Sequence, residues 1–197
     1  MKILLKTTLL MLLVLVPVTS LAGGYRLPDY ETRVFDNGLT VVLMQQHEVP
    51  LVAVHVMVGG GSMVDGQLSG LAGVTAQSLL FGAGELNKQA LDHQFDFIGA
   101  RVRSSAHREY NQLQASFAER DSKIMLPILR DLLLNPTFDA DEFTKYKRRK
   151  VAQLSQQKES PRSVINNYFH RLLWGDHPYA SVPAGDAASV EKTTRED

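Results

Sequence analysis

Six histidines, His47, His55, His93, His107, His170 and His177, are the side chains of this sequence best suited to hold a transition metal or to move a proton near neutral pH. A metal-binding helix needs two of them one turn apart, at i and i+4, so that both donors reach one ion from one face. No two of the six have that spacing. His55 falls inside the β-branched run Leu51 to Val58 and reads as a hydrogen-bonded histidine of a sheet. His107-Arg108-Glu109 reads as a solvent-facing turn rather than a catalytic group. The glycine run Gly59-Gly60-Gly61 lacks both the Gly-Lys-Ser/Thr ending and the spacing of a nucleotide fingerprint, so it reads as a strand-to-helix loop and not as a phosphate cradle. The absence of cysteine excludes thiolate ligands, disulfides and a lipid-modified cysteine.

The elements that must position any site are legible from pattern and punctuation. The 197 residues are 44% hydrophobic, enough apolar material for a real core, so stability has to come from packing. Acidic and basic residues are equal in number, and the one basic cluster, Lys145, Lys147, Arg148, Arg149 and Lys150, reads as a solvated helix face. No nucleic-acid partner is indicated.

Residues 1–22 have the form of a secretory signal peptide: Lys2 and Lys6, then the eight apolar residues Leu9 to Val16, then Ser20-Leu21-Ala22 as a small-x-small cleavage site. Eight apolar residues fall well short of the roughly 20 that span a bilayer, so a permanent membrane anchor is the alternative reading, and no membrane association is expected once the signal is removed. The remaining chain carries 19 basic and 21 acidic residues, and the periplasm is the expected address, with secretion into the medium as the alternative.

Residues 23–31 read as a linker, followed by a hairpin turned at Asp36-Asn37-Gly38, with Leu51 to Val58 as a further strand of the same sheet. Ser69 to Gly84 reads as one buried helix, small on one side at Ala72, Gly73 and Ala76. A second helix is expected over Asn87 to Ile98 with Asn87 as N-cap, then strands over Ala100 to Ser105 and Asn111 to Phe117. Three more helices are expected: one reaching Leu134, with Ile124, Ile128 and Leu132 packed together, one from Asp139 to about Lys158, and one from Ser160-Pro161. The chain beyond Ala180 reads as loop.

Gly61-Ser62, Asp65 and Ser69-Gly70-Leu71-Ala72 resemble the approach to the zinc helix of the insulinase/pitrilysin metallopeptidases. Phe35 to Val41, Leu132 to Phe138 and His177-Pro178-Tyr179 resemble three other markers of that family, so the likeness runs from about Thr32 to the last residue. The family carries the inverted motif His-x-x-Glu-His. Laid on Gly70-Leu71-Ala72, its histidine positions fall on Gly73 and Gln77, its glutamate base on Ala76, and the remaining glutamate ligand on Gln153. The resemblance therefore implies a degenerate zinc site with no catalytic or metal-binding residue and no cofactor, although active relatives use zinc.

It further implies an α+β fold, a two-layer sandwich of a mainly antiparallel sheet with helices on one face. Residues 32–197 would be one amino-terminal half-domain, incomplete at its C-terminal end. The functional reading is a non-catalytic substrate-binding or partner subunit, like that of the mitochondrial processing peptidase. It would pair with a zinc-bearing relative or with itself and could receive a peptide. An active zinc endopeptidase and a scaffold without a protease partner are the alternatives. Restoring the ligands by Gly73→His, Ala76→Glu, Gln77→His and Gln153→Glu is expected to recover zinc binding before catalysis, the backbone of the central helix tolerating the change at an overpacking cost at position 73 of roughly 1–3 kcal/mol.

Overall fold

The computed structural model describes residues 28–197, and the expected signal peptide lies outside the described residues. Contacts divide the chain into two compact units, one ending at Glu48 and the other running from Val49 to Asp197. In the first, β1 (Tyr30–Val34) and β2 (Thr40–Met44) form an antiparallel hairpin in the register Val34 to Thr40. The Asp36-Asn37-Gly38 turn closes it, with the Gly38 amide donating to the Phe35 carbonyl and the Asn37 side chain accepting from the Leu39 amide.

The second unit begins with β3 (Leu51–Gly59). It continues through α1 (Leu71–Ser78), the two-residue strands β4 (Gly82–Ala83) and β5 (Leu86–Asn87), α2 (Lys88–Ile98), β6 (Arg101–Ala106) and β7 (Tyr110–Ala118). Four helices follow: α3 (Ser122–Leu134), α4 (Ala140–Gln157), α5 (Pro161–Trp174) and α6 (Ala187–Lys192). The main sheet has the order β3-β7-β6 and is antiparallel throughout.

The expectation that β3 extends the first hairpin is therefore corrected. β3 takes β7 as its neighbour, and β1 and β2 pair with each other. Nine ladder pairs from Leu51–Ala118 to Gly59–Tyr110 join β3 to β7 and set Val52, Val54 and Val56 opposite Phe117, Ala115 and Leu113 on the face that carries the core.

Alternation decides which face of the sheet is covered. Leu113, Ala115 and Phe117 of β7 and Val52, Val54 and Val56 of β3 point to one side, where Leu91 of α2 and Met125, Ile128, Leu129 and Leu132 of α3 complete the core. Ala53, His55 and Met57 point the other way and are exposed. This is the expected α+β layering, a mainly antiparallel sheet with helices on one face.

His55 does pair within the sheet, its Nδ1 lying 3.3 Å from the Gln112 amide nitrogen. Ile124 does not join the stripe drawn from sequence. It is exposed, and Met125 takes the core position one residue on.

A second cluster joins Val74 and Phe81 to Phe143 and Leu154 of α4 and Val190 of α6. It explains two departures from the sequence reading. The Ser69–Gly84 run leaves the α-helix after Ser78, because Leu79–Phe81 tighten into a 3-10 turn that carries Phe81 into this cluster, and Gly82–Ala83 then pair with Leu86–Asn87. The segment beyond Ala180 is not all loop. Asp186 accepts from the Ala188 and Ser189 amides as an N-cap, and α6 inserts the fully buried Val190.

Two other helix starts carry the expected capping bonds, Asn87 accepting from the Ala90 amide and Asp139 from the Asp141 and Glu142 amides, whereas Asp121 before α3 and Ser160 before α5 make none.

Candidate functional site

α1 and α4 face one another across an open cleft of about 380 Å³. Gly73 and Gln77 line it from α1, one helical turn apart, and Ser105 and Ala106 line it from the end of β6. From α4 come Tyr146, Lys150 and Gln153, at i, i+4 and i+7 on one face, while Pro183 and Ala184 close the end. Three of the four positions singled out from sequence, Gly73, Gln77 and Gln153, are thus brought together. The fourth, Ala76, is not among the lining residues; it is buried with 1% of its surface exposed.

Asp65 and Gln77 fix α1 in place. The buried Asp65 carboxylate accepts from the Gly70 and Ala72 amides, both at 2.8 Å, and so satisfies two donors at the start of the helix. Burial raises its pKa above the usual 3.8, against the pull of these backbone amides. Replacing Asp65 by alanine is expected to lower stability by about 0.5–2 kcal/mol, the usual range for a lost cap, as read from denaturant midpoints.

The Gln77 amide nitrogen donates to the Ser104 carbonyl, tying α1 to β6, one of the two edge strands of the sheet. Gly73 is a point of contact: a Cβ built there would stand 2.2 Å from the Pro183 carbonyl oxygen. No side chain fits without moving that backbone, so the overpacking expected here falls on the Pro183 main chain rather than on movable side chains, and the expectation that the helix accepts the restored motif is corrected.

The donor set does not suit zinc. The ion is held by imidazole, thiolate or carboxylate, and the cleft offers the neutral amides of Gln77 and Gln153. Among the described residues, no three of His, Cys, Asp and Glu gather in an arrangement that could hold a metal.

The cation of the cleft belongs to the protein. The ammonium of Lys150 is half-buried, that burial lowers its pKa, and the cleft lining contains no carboxylate. Tyr146 is also half-buried and tilts against Phe81, with ring centroids 5.7 Å apart; burial raises its hydroxyl pKa above 10.0, Arg149 opposing, so it stays a donor at neutral pH.

Sequence reasoning missed Lys150 and Tyr146, reading the basic cluster as wholly solvated. The spacing back from Gln153 by three and seven residues carried the signal. The His107-Arg108-Glu109 turn is also more engaged than expected, because Arg108 Nε donates to the Tyr179 carbonyl and Glu109 accepts from the Tyr179 hydroxyl.

The sequence profile of the insulinase family, peptidase family M16, matches residues 40–186. The chain belongs to this family. Among M16 relatives, it is 25% identical over 172 residues to cytochrome b-c1 complex subunit 1 of Bos taurus, which covers 86% of this chain and 35% of that protein. It is 23% identical over 142 residues to the uncharacterized zinc protease YmxG of Bacillus subtilis, covering 72% of this chain and 35% of that one. The chain thus spans about a third of the length of these relatives.

Its fold matches the crystal structure of a peptidase M16 inactive domain from Pseudomonas fluorescens with a TM-score of 0.80, at 24% identity over 84% of this chain and 41% of that one.

Proposed function

We propose that this protein is an exported, non-catalytic M16 chain, a substrate-binding or partner subunit that pairs with a zinc-bearing relative and works in the periplasm. One observation carries the reading: at Gly73, Gln77 and Gln153 the cleft presents a glycine and two neutral amides, beside the ammonium of Lys150. Hydrolysis by metal-bound water needs charged or imidazole ligands and a base, and alanine at position 76 supplies none. The naming of one relative as a subunit of a complex favours a partner.

So does the surface of α5, where Ile165, Tyr168, Phe169, Leu172 and Leu173 are exposed, Leu172 by 86%. An apolar stripe of this kind is usually covered in the assembled protein. It also favours the second reading, self-association.

The test is co-expression with a zinc-bearing relative encoded in the same genome. The expected result is a complex on size-exclusion chromatography that carries zinc and cleaves peptides, while the chain alone does neither and elutes above its monomer mass. Chelator-sensitive peptide cleavage by the chain alone would overturn the reading.

A further inference from the structure

We propose that the cleft between α1 and α4 receives a carboxylate of a bound peptide, with the Lys150 ammonium as its counter-ion. This rests on the metal-free reading above and adds the chemistry of the ligand. Lys150 stands on the cleft-facing side of α4 between Tyr146 and Gln153, one turn from each. The facing elements bring no charge to meet it: α1 presents Gln77, β6 presents Ser105, and the closing segment presents Pro183. Among the described residues Lys150 joins none of the five ion pairs.

A half-buried ammonium without a counter-charge works against the fold, and burial lowers its pKa for that reason. A ligand that supplies the missing charge offsets that cost. The field it sets up repels a divalent cation and attracts an anion.

The remaining polar groups suit one carboxylate. The Tyr146 hydroxyl and the Gln153 amide can donate to its oxygens beside the ammonium. An arginine fork, the group that best matches the oxygens of a phosphate, is missing from the cleft lining, and a single ammonium balances the one charge of a carboxylate. The volume of about 380 Å³ lies within the usual range for small-ligand clefts, roughly 300–1,000 Å³, enough for a carboxylate and the residue that bears it. That carboxylate is either a free C-terminus or an acidic side chain.

Calorimetric titration of the full chain separates these sources. The probes are N-acetyl-trialanine, its C-terminal amide, N-acetyl-Ala-Glu-Ala-amide, inorganic phosphate and zinc chloride. The expected result is that one or both acids bind while the uncharged amide binds at least about tenfold more weakly, the cost of losing a charged hydrogen bond. Lys150→Met should abolish that preference while melting at or above the parent temperature. Lys150→Gln serves as a second variant that keeps a polar tip.

Equal binding of acid and amide, binding of no probe, preference for phosphate, or acid binding unchanged in both variants would each overturn the proposal. With no zinc uptake in the same titrations, such a failure leaves the metal-free reading standing. Acid binding that requires added zinc would overturn both.

Discussion

Replacing Gly73 by alanine is expected to destabilise the protein by about 1–3 kcal/mol, the range for forcing extra volume into a packed site. The sign is the informative part. At an exposed helix interior the same change stabilises by up to about 1 kcal/mol, because alanine is the better helix former. Here the new methyl would meet the Pro183 carbonyl oxygen at 2.2 Å, and what must move is backbone rather than the end of a flexible side chain. The segment is held in shape by its own turn, the Gly185 amide bonded to the Val182 carbonyl, and is anchored just beyond by α6 with its buried Val190. Denaturant unfolding of the parent and of Gly73→Ala measures the difference. A more stable variant would mean that the helix and this segment do not touch.

Rebuilding the family motif by Gly73→His, Ala76→Glu, Gln77→His and Gln153→Glu is expected to cost more than it gains. The imidazole at position 73 meets the same backbone oxygen, for about 1–3 kcal/mol. The carboxyl at position 76 replaces a methyl that is 1% exposed, which adds about 1–3 kcal/mol for a buried polar group without a partner. Together these remove a large share of the roughly 5–15 kcal/mol that ordinarily holds a domain folded.

The double variant Gln77→His, Gln153→Glu changes only side chains that line the cleft, so it should melt close to the parent, less the bond that Gln77 donates to Ser104. Thermal melts of the two variants beside the parent check the contrast. A fourfold variant as stable as the parent would show that the site retains room for the motif.

The fold was legible wherever a local signal and a tertiary requirement agreed. Asn37-Gly38 turns the first hairpin, Asn87 and Asp139 cap their helices, and Leu113, Ala115 and Phe117 alternate into the core. It was illegible where long-range pairing decides. Nothing local in Leu51–Gly59 says that its neighbour is a strand some fifty residues away rather than the hairpin just before it. The end of α1 and the existence of α6 were hidden for a related reason: Phe81 and Val190 are placed by a cluster they share with α4, and that cluster is invisible along the chain.

For the site, the family spacing pointed to Gly73, Gln77 and Gln153 but carried no information on what occupies the space between them. Lys150 was hidden inside a cluster of five basic residues whose other members have no place in the cleft lining. Only the facing of α4 separates it from them.

Metal analysis of the purified, dialysed protein by mass spectrometry decides whether this cleft holds catalytic zinc. The expected result is no stoichiometric zinc and no peptidase activity from the chain by itself. One tightly bound zinc per chain, removed by a chelator together with peptide cleavage, would contradict it.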